Sequence, residues 1–255
     1  MNLKRARVLL SNDDGIQAIG LKVLERAAKK IFGEVWVVAP ENEQSAASHS
    51  LTLRRPLRIR RVGTRRYAVD GTPTDSVLLG VQQVMKDKRP NIVLSGINRG
   101  GNLGEDITYS GTVAAAMEGT LLGLPAVALS QFYTDRQDVP WKTAEHWLGA
   151  VLKQLFRVDW PAGVLMNVNF PDLPAKAVTG IEVVRQGRRK IGGALTEGRD
   201  PRGDKYYWVG PQRDEDAFSV GTDLASVTTG AIAVTPLTLD LTHAAMLKKL
   251  KAAIT

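Results

Sequence analysis

Arg7-Val8-Leu9-Leu10-Ser11-Asn12-Asp13-Asp14-Gly15 is the stretch on which the fold turns. Arg7 to Leu10 reads as a strand whose apolar run, Val8 to Leu10, stops abruptly in small, polar and acidic residues, as a buried strand does when it reaches the edge of a sheet. Directly after it, Leu21, Leu24, Ala28 and Ile31 recur three and four apart, which is one face of a helix, and Glu34 to Ala39 reads as a second strand. The alternation then repeats. Asn91 to Leu94, Ala126 to Leu129, Val164 to Asn169 and Ala231 to Thr235 are further strands, with helical faces at Leu78, Val81, Gln82 and Met85 and at Ala144, Trp147, Leu148, Val151, Leu152 and Leu155. Strands alternating with helices predict an α/β protein with a Rossmann-like, doubly wound, mainly parallel sheet.

Beyond Pro171 the texture changes. Gly187, Gly192, Gly193, Gly198, Gly203 and Gly210 punctuate a polar, basic stretch that contains Tyr206, Tyr207 and Trp208. This predicts a protruding β-rich arm over roughly 180–230, used in oligomerisation, before the last strand and a C-terminal helix from Ala244 to Ala253. No linker or internal repeat divides the 255 residues, so we read 1–255 as a single α/β domain.

Cysteine is absent, which excludes disulfides, thiolate nucleophiles and thiolate-held metals. The apolar run in MNLKRARVLL is too short for a signal peptide, and Glu118 and Pro125 interrupt the most apolar neighbourhood, so a cytoplasmic protein with no membrane partner is expected. Lys and Arg number 34 against 26 Asp and Glu, and Arg54, Arg55, Arg58, Arg60, Arg61, Arg65 and Arg66 crowd one short stretch. Leu57 and Ile59 alternate with Arg58 and Arg60 at a strand's period of two, so the stretch reads first as a charged, solvated hairpin that also steers anions.

In open α/β sheets ligands bind at the carboxyl ends of the strands. Here those ends supply Ser11-Asn12-Asp13-Asp14-Gly15, Pro40-Glu41-Asn42-Glu43-Gln44-Ser45 and Ser95-Gly96-Ile97-Asn98. Two carboxylates at one site repel by about 4 kcal/mol at ~4 Å and an effective dielectric of ~20, and a divalent cation relieves this. Carboxylates of Asp13 and Asp14, the Ser45 hydroxyl and the Asn98 amide oxygen form a hard, all-oxygen set suited to Mg²⁺, Mn²⁺ or Ca²⁺. No GxGxxG follows the first strand, which argues against a dinucleotide. Further on, Ser110 caps a helix that begins Gly111-Thr112, and a helix N-terminus receives phosphate readily. Gly71 to Ser76 reads as a turn with an N-cap. Of the three histidines, His49 and His243 are candidates to reach the site, whereas His146 lies in a helical pattern.

Taken together, Leu9 to Gly15, Ala39 to Ser45, Gly71 to Asp75, Ser95 to Asn98 with Asn102 and Tyr109 to Ala115, and the later Asn167-Val168-Asn169, Asp200 to Gly203 and Thr235 to Leu237, resemble the survival protein SurE family of metal-dependent nucleotidases. The resemblance implies hydrolysis of nucleoside 5′- or 3′-monophosphates to nucleoside and phosphate, sometimes of short polyphosphate, and a homodimer or homotetramer that exchanges its arm and C-terminal elements. It implies one divalent ion per subunit, Mg²⁺ or Mn²⁺, on Asp13, Asp14, Ser45 and Asn98, with Asp13 and Asp14 as the catalytic pair. Ser110, Gly111 and Thr112 would contact phosphate, and Asn12, Asn98 and Asn102 are further substrate-binding candidates. The chain departs from the family pattern at Ile19, Ala46 and Ser76, of which Ala46 lies next to a site residue. Two rival readings are a receiver-like Mg²⁺-binding signalling module, which lacks a phosphoacceptor Asp after the third strand, and a basic nucleic-acid-binding protein.

Overall fold

The structure is a computed structural model that describes residues 1–134, 139–191, 195–209, 213–215 and 219–254, with the side chains of 190–191 and 213–215 outside the description. Its main sheet is built from β1 (Arg7–Ser11), β2 (Glu34–Pro40), β3 (Ile59–Gly63), β4 (Arg66–Val69), β5 (Ile92–Arg99), β6 (Ala126–Gln131), β7 (Val164–Phe170) and β8 (Ile181–Val183). Then come β9 (Arg189–Ile191), β10 (Leu195–Arg199), β11 (Lys205–Val209), β12 (Arg213–Glu215) and finally β13 (Ile232–Thr238), which returns to the main sheet. The order across that sheet is β3-β4-β2-β1-β5-β6-β7-β13-β8. Neighbours from β4 to β7 run parallel, β3 and β13 run antiparallel to β4 and β7, and β8 runs parallel to β13.

The helices are α1 (Ile19–Ile31), α2 (Pro73–Leu79), α3 (Gly111–Leu121), α4 (Trp141–Leu155), α5 (Asp223–Thr228) and α6 (Ala244–Ile254). The alternating side chains of β1 face two separate cores. Val8 and Leu10 pack with α1 and α4 through Leu21, Leu24, Leu148 and Val151, and Leu9 packs with α2 and α3 through Val77 and Val113. Covering both faces of the sheet is what makes its central strands apolar throughout. Since β2 and β5 lie on opposite sides of β1, the strand order reverses there, and the crevice at this switch point is where such sheets bind ligands.

Several expectations meet the structure with differences. α2 begins at Pro73, because Thr72 and Asp75 form a reciprocal capping box with Pro73 at the first helical position. β5 continues past Leu94 to Arg99, across a register shift between Ser95 and Asn98, so the Ser-Gly-Ile-Asn motif lies inside the strand. β13 accepts Pro236 because its pairing to β8 stops at Val234. The arginine stretch forms the β3–β4 hairpin, and its cations meet acids from elsewhere in the chain: Arg60 meets Glu41, Arg66 meets Glu25, and Arg55 and Arg58 both meet Asp70. In the region read as an arm, β9–β12 form two small antiparallel ribbons, whereas β8 and α5 pack against the body. Gly192, Gly193 and Gly210 lie outside the described residues. No helix among the described residues is long and apolar enough to cross a membrane.

Candidate functional site

A cavity of about 1190 Å³ opens at the carboxyl ends of the central strands. Asp13, Asp14, Ser45, Asn98, Asn102 and Ser110 line it, so residues from four separate segments converge on one space. Asn12, Gly111 and Thr112 are not among the lining residues. Gly111 and Thr112 instead pack on Asp13, and Asn12 is buried next to it in the chain.

The local chain explains how. Gly15 takes φ +94, which turns the backbone sharply after Asp14 and lets the Ile16 N–H donate to the Pro40 carbonyl at 2.8 Å. The Asp13 carbonyl accepts from the Gln44 N–H at 2.8 Å, which ties the loop after β1 to the loop carrying Ser45. Asn12 is fully buried and spends its amide N–H on the Gly15 carbonyl at 3.0 Å, while its own oxygen has no hydrogen-bond partner. Gly111 permits the start of α3 to pack on Asp13, since a Cβ there would lie 2.7 Å from the Asp13 Cβ. Ser110 caps α3 by accepting from the Val113 N–H at 3.0 Å.

Thr112 has a different partner from the phosphate that the resemblance assigns to it. Its hydroxyl donates to Asp13 Oδ1, and its backbone also bonds that carboxylate. Asn98 uses its amide N–H on the Gly100 carbonyl at 2.8 Å, which leaves its oxygen as the end available to accept. Ser45 is exposed and donates to Glu43 Oε1 at 2.7 Å. Asn102 is held rigidly: its N–H donates to Asn169 Oδ1 at 2.9 Å, its side chain donates to the Ser130 hydroxyl at 2.8 Å, and its carbonyl accepts from Asn167 at 2.8 Å. The histidines stand apart from the cavity. His49 pairs with Glu118 at 3.2 Å, and His243 accepts from the Met246 N–H at the start of α6.

At both acids burial outweighs the hydrogen bonds they accept. Burial, with the Asp14 charge adding to it, pushes Asp13 up to about 7. Asp14 is raised as well, by burial first, although the Arg99 N–H donates to its Oδ2 at 3.3 Å. Among the described residues no group of three or more His, Cys, Asp or Glu is placed to hold a metal, so two carboxylates are the anionic ligands on offer and neutral oxygens must complete any set. The residues fit a hard divalent cation on two observations: the donors are all oxygen, and burial raises both carboxylates, with the Asp14 charge adding to it at Asp13.

Sequence reasoning did not find the rest of the wall. Phe132, Tyr133 and Trp141 supply an aromatic side, with the Arg99 guanidinium 5.9 Å from the Tyr133 ring centroid. Buried Arg189, 3.4 Å from Asp106, lines the same cavity and stands 5.9 Å from the Phe132 ring. Adjacency to Asn98 is a signal for Arg99, but nothing local marks Arg189, which comes from the root of the arm.

An open parallel sheet with an oxygen-lined cavity at its switch point, beside a capped helix N-terminus, defines a class of α/β proteins built to receive an anionic ligand. Comparison with known proteins specifies it further. The family model described as "Survival protein SurE" matches residues 8–193. The chain is 62% identical over 247 residues to the 5′-nucleotidase SurE of Paramagnetospirillum magneticum, covering 97% of this chain and 95% of that protein. It is 56% identical to the 5′-nucleotidase SurE of Rhodospirillum rubrum, covering 94% and 93%. Among solved structures, that of SurE protein from Aquifex aeolicus superposes with a TM-score of 0.85 at 40% identity, covering 98% of this chain and all of that one. The chain belongs to the SurE family.

Proposed function

We propose that this chain is a metal-dependent 5′-nucleotidase that hydrolyses nucleoside monophosphates to nucleoside and inorganic phosphate, with 3′-monophosphates as a second substrate set. The observation that carries the reading is the adjacent Asp13 and Asp14 carboxylates beside the Ser110-capped start of α3, on one cavity. The relatives' names agree with it.

In this reading Asp13, Asp14, Ser45 and Asn98 hold one divalent ion per subunit, Mg²⁺ or Mn²⁺. When bound, such an ion supplies charge neutralisation at a phosphoryl oxygen and lowers the pKa of a bound water. The chain's own residues do the rest. Ser110, at the cavity wall, orients the phosphate, helped by the positive end of α3. Thr112 fixes Asp13 in place through its hydroxyl. One carboxylate of the Asp13–Asp14 pair takes the proton of the attacking water as its oxygen bonds phosphorus and the P–O ester bond breaks, and the leaving nucleoside oxygen takes a proton from solvent to become the alcohol. Asn12 supports the turn from behind, and Asn98 and Asn102 border the substrate. The aromatic wall gives the nucleoside an apolar surface.

The arm and α6 are read as assembly elements of a homodimer or homotetramer. They leave Tyr207, Trp208, Met246 and Leu250 at least half exposed or close to it, a display that a second subunit would cover. A phosphatase screen across nucleotides, sugar phosphates and polyphosphate tests the function. Phosphate release from nucleoside monophosphates should stop in EDTA and return with Mn²⁺ or Mg²⁺; turnover that ignores EDTA contradicts the reading.

A further inference from the structure

Ser45 sits on the loop joining β2 to β3, and that loop is awkward to hold. Ala46 and Ser48 both adopt left-handed backbone, at φ 59 and 52, which non-glycine residues occupy only when surrounding contacts impose it. Part of the imposition is visible: the Ser48 N–H donates to the Tyr109 carbonyl at 3.2 Å, the Ser48 hydroxyl donates to the Thr108 carbonyl at 2.9 Å, and the Thr72 hydroxyl donates to the Ser50 carbonyl at 2.7 Å. A further tie is His49. Its Nε2 lies 3.2 Å from Glu118 Oε2, and among the described residues this is the only bond from a side chain of the loop to α3.

Glu118 makes the tie informative. It lies two turns along α3 from Ser110, in a helix otherwise lined with Val113, Ala114, Ala115 and Ala116, and its side chain is only 9% exposed. A carboxylate that deep needs a partner, and His49 is the one it has among the described residues. Neither His49 nor Glu118 is among the residues that line the cavity, so the pair stands behind the site. We propose that His49 is a positioning residue: by pairing with Glu118 it clamps the Ser45 loop onto α3, and so holds the Ser45 hydroxyl at the Asp13–Asp14 carboxylates. α3 thereby positions both sides of the site, Ser110 directly and Ser45 through Glu118 and His49. This inference rests on the metal reading given above, in which Ser45 is a ligand.

The test compares the whole wild-type chain with His49→Ala and His49→Gln, the latter keeping an N–H donor toward Glu118. Titration calorimetry with Mn²⁺ should show His49→Ala binding roughly tenfold more weakly or worse, as outer ligand supports do, and His49→Gln restoring most of that loss. Hydrogen exchange should show the Ser48 amide opening faster in His49→Ala and returning toward wild type in His49→Gln. With Mn²⁺ saturating, kcat should recover in His49→Ala while KM for nucleotide stays near wild type. Unchanged Mn²⁺ affinity together with unchanged exchange in His49→Ala overturns the proposal, as does a His49→Gln variant no better than His49→Ala. Failure of the metal reading is distinguishable, because the wild-type chain itself would then bind no Mn²⁺.

Discussion

Asp13 concentrates the residue-scale argument. It is 6% exposed, beside a second acid, and pushed up to about 7 against an ordinary 3.8. Between those two values the folded chain binds a proton there that the unfolded chain has released, so without metal this group's contribution to stability falls as pH rises from about 4 through 7. A cation must displace that proton. Mn²⁺ affinity should therefore weaken as pH drops below 7, by up to ~10-fold per unit, with proton release on binding that disappears in Asp13→Asn. Calorimetry in buffers of different ionisation enthalpy checks both; pH-independent affinity between 5 and 8 contradicts them. Gly111 offers a steric test. A Cβ there would meet Asp13 Cβ at 2.7 Å and Pro73 Cγ at 3.1 Å, so Gly111→Ala should cost ~1 to 3 kcal/mol in denaturant unfolding and depress Mn²⁺ binding as well.

At the scale of elements, α2 shows a capping device with two uses. Asp75 accepts from the Thr72 N–H at 2.9 Å to complete the capping box, and its Oδ1 accepts from the Thr52 N–H at 3.0 Å to anchor the end of the Ser45 loop. Asp75→Ala should lose ~1 to 2 kcal/mol of stability, more than Thr72→Ser, whose hydroxyl keeps the cap. Equal unfolding midpoints for the two variants would refute the double role. The elements also show what a sequence can and cannot tell. β1 was legible because three apolar residues, Val8 to Leu10, end abruptly in Ser-Asn-Asp-Asp-Gly, and the start of α3 because Ser110 precedes a run of alanines. The true end of β5 was not, because its bulge lets Gly96 lie against the Leu129 carbonyl, a contact made by a neighbouring strand. Nor were the acids that meet the arginine hairpin, since Glu25 and Glu41 come from α1 and the end of β2. Local pattern names elements and caps; pairings between distant stretches, such as Thr112 on Asp13 and Arg189 at the cavity's edge, exist only once the sheet has assembled.

At the scale of the molecule, two features extend beyond the body. α6 buries none of its residues, and β10–β11 expose Leu195, Tyr207, Trp208 and Val209. Sedimentation velocity should find a dimer or tetramer, and Trp208→Glu combined with Leu250→Glu should shift it toward monomer; a wild-type monomer at micromolar concentration contradicts the assembly. The site itself is a whole-molecule property, because the loops after β1 and β2 and the end of β5 must all arrive at one cavity before a cation has its ligands. The most direct measurement is phosphate release from nucleoside monophosphates by wild-type, Asp13→Asn and Asp14→Asn chains, each stripped with EDTA and then titrated with Mn²⁺. Wild type should regain turnover with a saturable Mn²⁺ dependence while both variants stay at least ~100-fold lower with folded circular dichroism spectra. Full activity in both variants, or in the stripped wild-type chain, would contradict the account.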